Sequence, residues 1–223
     1  MHFFHIEVHA APMKKYIYLI RHGQTDYNLN GIVQGKGINS ELNETGRWQA
    51  ERFYLQYRQV GFDSIYVSTL KRTFQTVFPF LQDGIKIQKR TELDEISWGD
   101  LEGKKHSQSV DFEYAHILKC WEKGLLTEKI PGGESALELQ KKQLPIIEEL
   151  RKADFKNILL CSHGRAMRAL VCGFLGKPLS YMSTFNHTNT GLYLLSCENG
   201  TFRLELENNV AHLMSEAIPN AVV

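Results

Sequence analysis

Arg21 and His22 open the run Arg21-His22-Gly23-Gln24-Thr25, directly behind an apolar stretch at 16–20. A guanidinium can place two donors on two oxygens of one phosphate, and a neutral imidazole nitrogen is a nucleophile toward phosphorus. The pair therefore suits phosphate binding or phosphoryl transfer, and Gly23 is expected to let a ligand approach the backbone closely. Ser162-His163-Gly164-Arg165 repeats the arrangement behind the apolar run 158–161, with a helical pattern following it. The free N–H groups at such a helix start attract an anion. A third run, Ser68-Thr69-Leu70-Lys71-Arg72-Thr73, puts two cations into the first turn of a helical pattern. Each costs roughly 0.3–1 kcal/mol there, and a local rule broken at a strand end marks Arg72 as an anion clamp. Cleavage of a phosphoester also needs an acid for the leaving oxygen. Asp94, Glu95, Asp100 and Glu102 compete for that role in the run 93–103, and spacing does not choose among them.

These groups need elements to hold them. Apolar or alternating runs predict strands at 16–20, 64–68, 85–89, 157–162, 192–196 and 202–207. The last two flank the turn signal Glu198-Asn199-Gly200 and read as a hairpin. Helical periodicity covers 44–58, 70–81, 108–123, 136–151 and 164–175. Strands alternating with helices predict an α/β fold, with a mostly parallel central sheet between two helical layers. The hairpin predicts one antiparallel edge strand. Ser135-Ala136-Leu137-Glu138 is a capping box that starts a helix, and Pro145 is expected to kink or interrupt it. The segment 104–135 carries no strand signal and reads as a helical insertion over one sheet edge. A substrate lid would sit there, with Phe112, Tyr114, His116 and Trp121 as residues able to line a pocket or to pack as core.

The chain has 223 residues, enough for one α/β domain or two small ones. Residues 1–13 read as an extension ahead of a domain at 14–223, and the spacing of His5 and His9 would also fit a metal-binding tract on a helix. With 26 basic and 25 acidic residues the net charge is +1, which gives no electrostatic reason for a nucleic-acid or membrane partner. No apolar run approaches the roughly 20 residues of a membrane span. The start lacks the features of a secretory signal. Cys120, Cys161, Cys172 and Cys197 have neither redox nor zinc spacing, so a reduced cytoplasmic protein is expected. The sequence carries no signal for an oligomeric state. There is no P-loop, no His-Glu-x-x-His and no Gly-x-Ser-x-Gly elbow.

Arg21-His22-Gly23-Gln24-Thr25 with Asn28 resembles the signature of the histidine phosphatase superfamily, also called the phosphoglycerate mutase family. The likeness continues in chain order through Gln34-Gly35, Leu42-Asn43-x-x-Gly46-x-x-Gln49-Ala50 and Ser68-x-Leu70-x-Arg72-Thr73-x-Gln75-Thr76. It extends to Leu93-x-Glu95, Gly133-Glu134-Ser135 and Ser162-His163-Gly164, spanning about 14–212. The resemblance implies a phosphoglycerate mutase-like fold and a small phosphorylated substrate, with no metal and no cofactor. It implies His22 as the nucleophile that becomes phosphohistidine. Arg21, Arg72 and His163 would form the phosphate pocket, and Glu95 would be the proton donor and then the base for water. Asn28 would donate a hydrogen bond, and Gln34, Gly35 and Gly164 would lie on the substrate side. Asn39 and Glu41 depart from the Asp and Pro often found there. The run after the acid, 96–103, resembles the phosphatase branch more than the glycolytic mutases, and the alternatives are mutase-type transfer or a non-catalytic phospholigand-binding protein.

Overall fold

The structure is a computed structural model that describes residues 14–214, so the extension at 1–13 and its histidines lie outside the described residues. Six strands form one sheet: β1 (Lys15–Arg21), β2 (Ser64–Val67), β3 (Ile87–Lys89), β4 (Asn157–Ser162), β5 (Leu192–Glu198) and β6 (Thr201–Asn209). Their spatial order is β3-β2-β4-β1-β5-β6. β3, β2, β4 and β1 run parallel. β5 is antiparallel to both of its neighbours, so the hairpin occupies one edge, with β6 outermost. Asn199 and Gly200, both at positive φ, make the tight turn that joins them.

Successive strand side chains point to opposite faces, and the core divides accordingly. Ile17, Leu19, Ile158 and Leu160 pack with α5 (Ala136–Lys152) and α6 (Gly164–Leu175). Ile65, Val67, Leu159 and Cys161 pack on the other face, with α2 (Glu44–Tyr57) contributing Phe53 and Tyr54 and α3 (Lys71–Val77) contributing Val77. β4 is buried along its whole length, as a central strand covered on both faces must be. β1 and β4 are thus neighbours whose following helices cover opposite faces. Their carboxyl ends flank a crevice of the kind that holds ligands in open α/β sheets.

Register fixes what meets there. Arg21 pairs with Ser162, and Val67 pairs with Cys161. The residues just beyond the three strands, His22, His163 and Ser68, therefore emerge side by side.

Several expectations change in detail. The predicted helix 70–81 is α-helical only to Val77 and continues as a 3₁₀ helix, Phe78–Asp83. Pro79 explains this, because it lacks the N–H that an α-helix requires. The strand expected at 85–89 is shortened to Ile87–Lys89. α5 runs through Pro145 without interruption. Pro145 lies on the exposed face, where the carbonyl left without its helical donor is open to solvent rather than buried. The insertion carries α4 (Gln108–Glu122), whose buried face of Val110, Ile117 and Trp121 joins the larger core. Among the described residues no helix is long and apolar enough to cross a membrane.

Candidate active site

A cavity of about 360 Å³ opens at the carboxyl ends of β1 and β4. Arg21, His22, Asn28, Gln34, Arg72, Glu95 and Gly164 all line it. His22 is 3% exposed, and its Nδ1 lies 2.7 Å from the carbonyl of Gly23. A carbonyl only accepts, so Nδ1 carries the proton and Nε2 keeps its lone pair. Burial, with Arg72 and Arg21 nearby, holds the His22 pKa well below its ordinary value. The ring is therefore a neutral imidazole of fixed tautomer, the form a nucleophile requires.

His163 is fully buried, with its ring centroid 5.2 Å from that of His22. Its Nδ1 accepts from Arg72 Nε at 3.1 Å, and its Nε2 lies 2.7 Å from Ser68 Oγ. A guanidinium only donates, which places the His163 proton on Nε2, donating to Ser68. The resemblance implies His163 as part of the phosphate pocket. Instead His163 lies behind the cavity wall, and both of its nitrogens are engaged by protein.

Arg72 has no exposed surface. Besides His163 it donates to the carbonyls of Ile38 at 2.6 Å and Gly35 at 3.4 Å, and burial lowers its pKa to about 10. Arg21 donates to the His187 carbonyl at 2.8 Å, while its Nε has no partner among the described residues. Asn28 closes a capping box with Thr25, which engages its Oδ1. Gln34 bridges Thr25 and Ser40, so its amide secures the loop as well as lining the cavity.

Position separates the four carboxylates. Asp94 accepts from the backbone and hydroxyl of Thr69 and pins the β2 exit loop. Glu102 caps the turn at Trp98, and Asp100 is exposed. Glu95 alone of the four lines the cavity. Its oxygens accept from the backbone N–H groups of Ile96, Arg165 and Ala166 at 2.8–3.0 Å. Two of the α6 N-terminal donors that the sequence offers to an anion are thus occupied by Glu95.

The glycines also differ from expectation. Gly23 is required by chain packing, not by a ligand, since a Cβ there would lie 2.6 Å from the Gly46 carbonyl oxygen. Gly35 stands behind Arg72, and a Cβ on it would meet a Glu102 oxygen at 2.0 Å. Asn39 and Glu41 have structural uses. The Asn39 side chain accepts from the first N–H of α3 at 2.8 Å, and Glu41 pairs with Lys71 at 3.3 Å.

The profile of the histidine phosphatase superfamily (branch 1) matches residues 17–210. The chain belongs to that superfamily. Phosphoserine phosphatase 1 of Hydrogenobacter thermophilus is 27% identical over 182 residues, which covers 81% of this chain and 85% of that protein. A 2,3-bisphosphoglycerate-dependent phosphoglycerate mutase of Cytophaga hutchinsonii is 33% identical over 159 residues, covering 69% and 74%. A solved mycobacterial glucosyl-3-phosphoglycerate phosphatase superposes with a TM-score of 0.78 at 27% identity, covering 88% of this chain and 100% of that one. The superfamily membership and the fold expected from the motifs both hold.

Some residues of the cavity wall were not singled out from the sequence. Arg165, Arg168, Trp98, His106 and His187 line the same cavity. Arg165 stands in the first turn of α6, so the rule that flagged Arg72 also flags it, while Arg168 lies a turn further on. Of the four insertion residues considered, only Tyr114 lines the cavity. Trp121 is core, stacked 5.7 Å from Trp98, and Phe112 is exposed.

Proposed function

We propose that this chain hydrolyses small phosphomonoesters in two steps through a phosphohistidine at His22. The observation that carries the reading is the His22–Gly23 contact, which fixes the proton on Nδ1 and leaves Nε2 as the nucleophilic atom on the cavity wall. In the first step the Nε2 lone pair attacks phosphorus, the ester P–O bond breaks, and Glu95 delivers a proton to the departing oxygen. In the second step water attacks the phosphorus of phosphohistidine, the P–N bond breaks, and Glu95 takes the water's proton. Arg21 and Arg72 match the charge that spreads over the phosphoryl oxygens. Asn28 holds an oxygen of the same group, while His163 acts through Arg72 and is a positioning residue in this reading.

The same reading makes residues 14–223 one catalytic domain, with 104–135 as an insertion that shapes substrate access. Cytoplasmic residence fits the four free cysteines, three of them buried.

The test is a panel of phosphomonoesters assayed for free phosphate, with the protein also quenched in alkaline detergent and probed for acid-labile, alkali-stable phosphate. Turnover that survives EDTA, with phosphoprotein in wild type and none in His22→Ala, supports the reading. Wild-type turnover by His22→Ala, or turnover abolished by EDTA, overturns it. The mutase likeness favours a second reading, in which phosphohistidine passes to another hydroxyl of the substrate. Isomerised ester without free phosphate would select that one.

A further inference from the structure

Arg21, His22 and Asn28 stand on the β1 side of the cavity, and one short segment at 187–190 holds all three. The His187 carbonyl accepts from Arg21 Nη1 at 2.8 Å, and the Thr190 N–H donates to the Arg21 carbonyl at 3.0 Å. Between them Asn189 Nδ2 donates to the His22 carbonyl at 2.9 Å and to Asn28 Oδ1 at 3.4 Å. A carboxamide nitrogen carries two protons, so one side chain serves both acceptors. Asn189 itself does not line the cavity.

The segment is anchored on either side of Asn189. Thr190 adopts a φ of +56°, in the left-handed region that a β-branched side chain rarely enters. Such strain persists only where the surroundings over-determine it, and it gathers at functional sites. Thr190 is fully buried, and its hydroxyl donates to the Asn189 carbonyl at 2.8 Å and lies 2.9 Å from His212 Nε2. The His212 ring is set edge-on against Phe53, with centroids 5.3 Å apart. Before Asn189, the Thr188 N–H donates to Asn208 Oδ1 at 2.9 Å, and Asn208 Nδ2 donates back to the Thr188 hydroxyl at 3.0 Å. Asn189 is thus presented to the β1 exit from a backbone fixed by β6 on one side and by the core on the other.

Satisfying an acceptor does not account for the reach to Asn28. Its Oδ1 already accepts from the N–H and the hydroxyl of Thr25. What Asn189 adds is a bridge from the backbone of His22 to the amide of Asn28. With Oδ1 facing the donors of Thr25 and Asn189, Nδ2 is the Asn28 atom left for the cavity that this residue lines. We propose that Asn189 is a positioning residue, which ties His22 to Asn28 so that the nucleophile and the Nδ2 donor meet the same phosphoryl group. This rests on the phosphatase reading for the roles of His22 and Asn28, and anion binding separates the two.

The experiment follows hydrolysis of 4-nitrophenyl phosphate and the binding of inorganic phosphate and orthovanadate, the second taking the trigonal-bipyramidal shape of the transition state. In Asn189→Leu, which keeps the size and loses both donors, kcat is expected to fall about tenfold with KM within about threefold of wild type. The vanadate Kd is expected to rise by about the same tenfold and the phosphate Kd by less than about threefold. Asn28→Ala lowers kcat by itself, and adding Asn189→Leu to it is expected to cost less than about threefold more, because one end of the bridge is already gone. Asn189→Asp keeps the shape without the donors and gives the same readings if the leucine variant does not fold. Wild-type kcat in the folded variants, whatever their Tm, makes Asn189 merely structural and overturns the proposal. A loss confined to KM makes it a substrate-binding residue and overturns the proposal too. The full loss repeated on the Asn28→Ala background overturns the bridge. Each of these leaves the phosphatase reading standing. A wild type that hydrolyses no ester, but whose vanadate binding weakens in Asn189→Leu and not further in the double variant, keeps the bridge and removes the phosphatase reading instead.

Discussion

The exits of β1 and β4 carry nearly the same sequence, a strand ending in histidine and then glycine, and the sheet places them in register. Their histidines are nonetheless held in opposite ways. His22 is tied by Nδ1 to its own neighbour's carbonyl, and Nε2 is left for chemistry. His163 is tied by both nitrogens, to Arg72 on one side and Ser68 on the other. A repeated motif thus fixes where a side chain emerges, and its hydrogen-bond partners decide what it can do there. On the proposed reading the first ring forms the bond to phosphorus, while the second aims a guanidinium.

Asparagine substitution is the most direct way to break this comparison. His22→Asn is expected to lose on the order of 10⁴-fold or more in kcat, because the nucleophilic atom is gone. His163→Asn is expected to lose about 10²-fold, the scale for misplacing one charge-stabilising group. Steady-state rates on a common ester check both, and equal losses would mean that His163 also reacts with substrate. Glu95→Gln follows, with an expected kcat loss of roughly 10²–10⁴-fold that is steepest for esters with poor leaving groups. Because the Glu95 carboxylate also holds the first N–H groups of α6, that variant should lose some Tm as well. An aryl phosphate, whose leaving oxygen needs little protonation, separates the effects. If the loss is the same for aryl and alkyl esters, Glu95 only caps the helix.

Ser68→Ala probes the tether behind His163. Ser68 Oγ meets His163 Nε2, the N–H of Leu70 and the hydroxyl of Thr73, all in the interior. Removing it leaves donors unpaired at a cost of about 1–3 kcal/mol, read as a lower denaturation midpoint. It also lets the His163 ring turn, with an expected kcat loss of about tenfold and little change in KM. A KM effect without a kcat effect would place Ser68 in substrate binding instead.

The strand exits were legible in the sequence because their apolar runs are short and sharply bounded, so Arg21, His22 and His163 could be placed on one sheet edge. Arg72 was legible because a cation in a helix's first turn contradicts the helix dipole. Arg165 carried the same contradiction, hidden by its place behind a histidine that already explained the motif, whereas Arg168, a turn further into α6, carried none. Glu95 could not be chosen from local pattern. What separates it from Asp94 is that one carboxylate meets α6, about 70 residues later, and the other meets Thr69, and only the folded chain makes those contacts. The roles of Gly23 and Gly35 were hidden for the same reason, since the backbone and side chain pressing on them come from distant loops.

The smallest expected difference between the two exits is in stability against pH. Burial beside arginines lowers the pKa of both His22 and His163 well below the ordinary value. In the unfolded chain each histidine takes a proton as pH falls through about 6.5, while in the folded chain it stays neutral until far lower. The unfolded state then binds more protons, so stability falls with falling pH, by about 1.4 kcal/mol per pH unit for each such histidine. His187 and His212, lowered to about 3 and about 4, add to the same slope. Denaturant unfolding between pH 7 and pH 5 should show this fall, with no corresponding loss from pH 7 to pH 8. His22→Asn and His163→Asn should each reduce the slope by about the same 1.4 kcal/mol per pH unit, although their rates differ by orders of magnitude. A variant that leaves the slope at its wild-type value would show that the ring takes up its proton over the same pH range in the folded protein as in the unfolded chain. For His22 that would cost Nε2 its lone pair over that pH range and weaken the nucleophile assignment, whereas for His163 it would break the hydrogen bond from Arg72, because a guanidinium cannot accept.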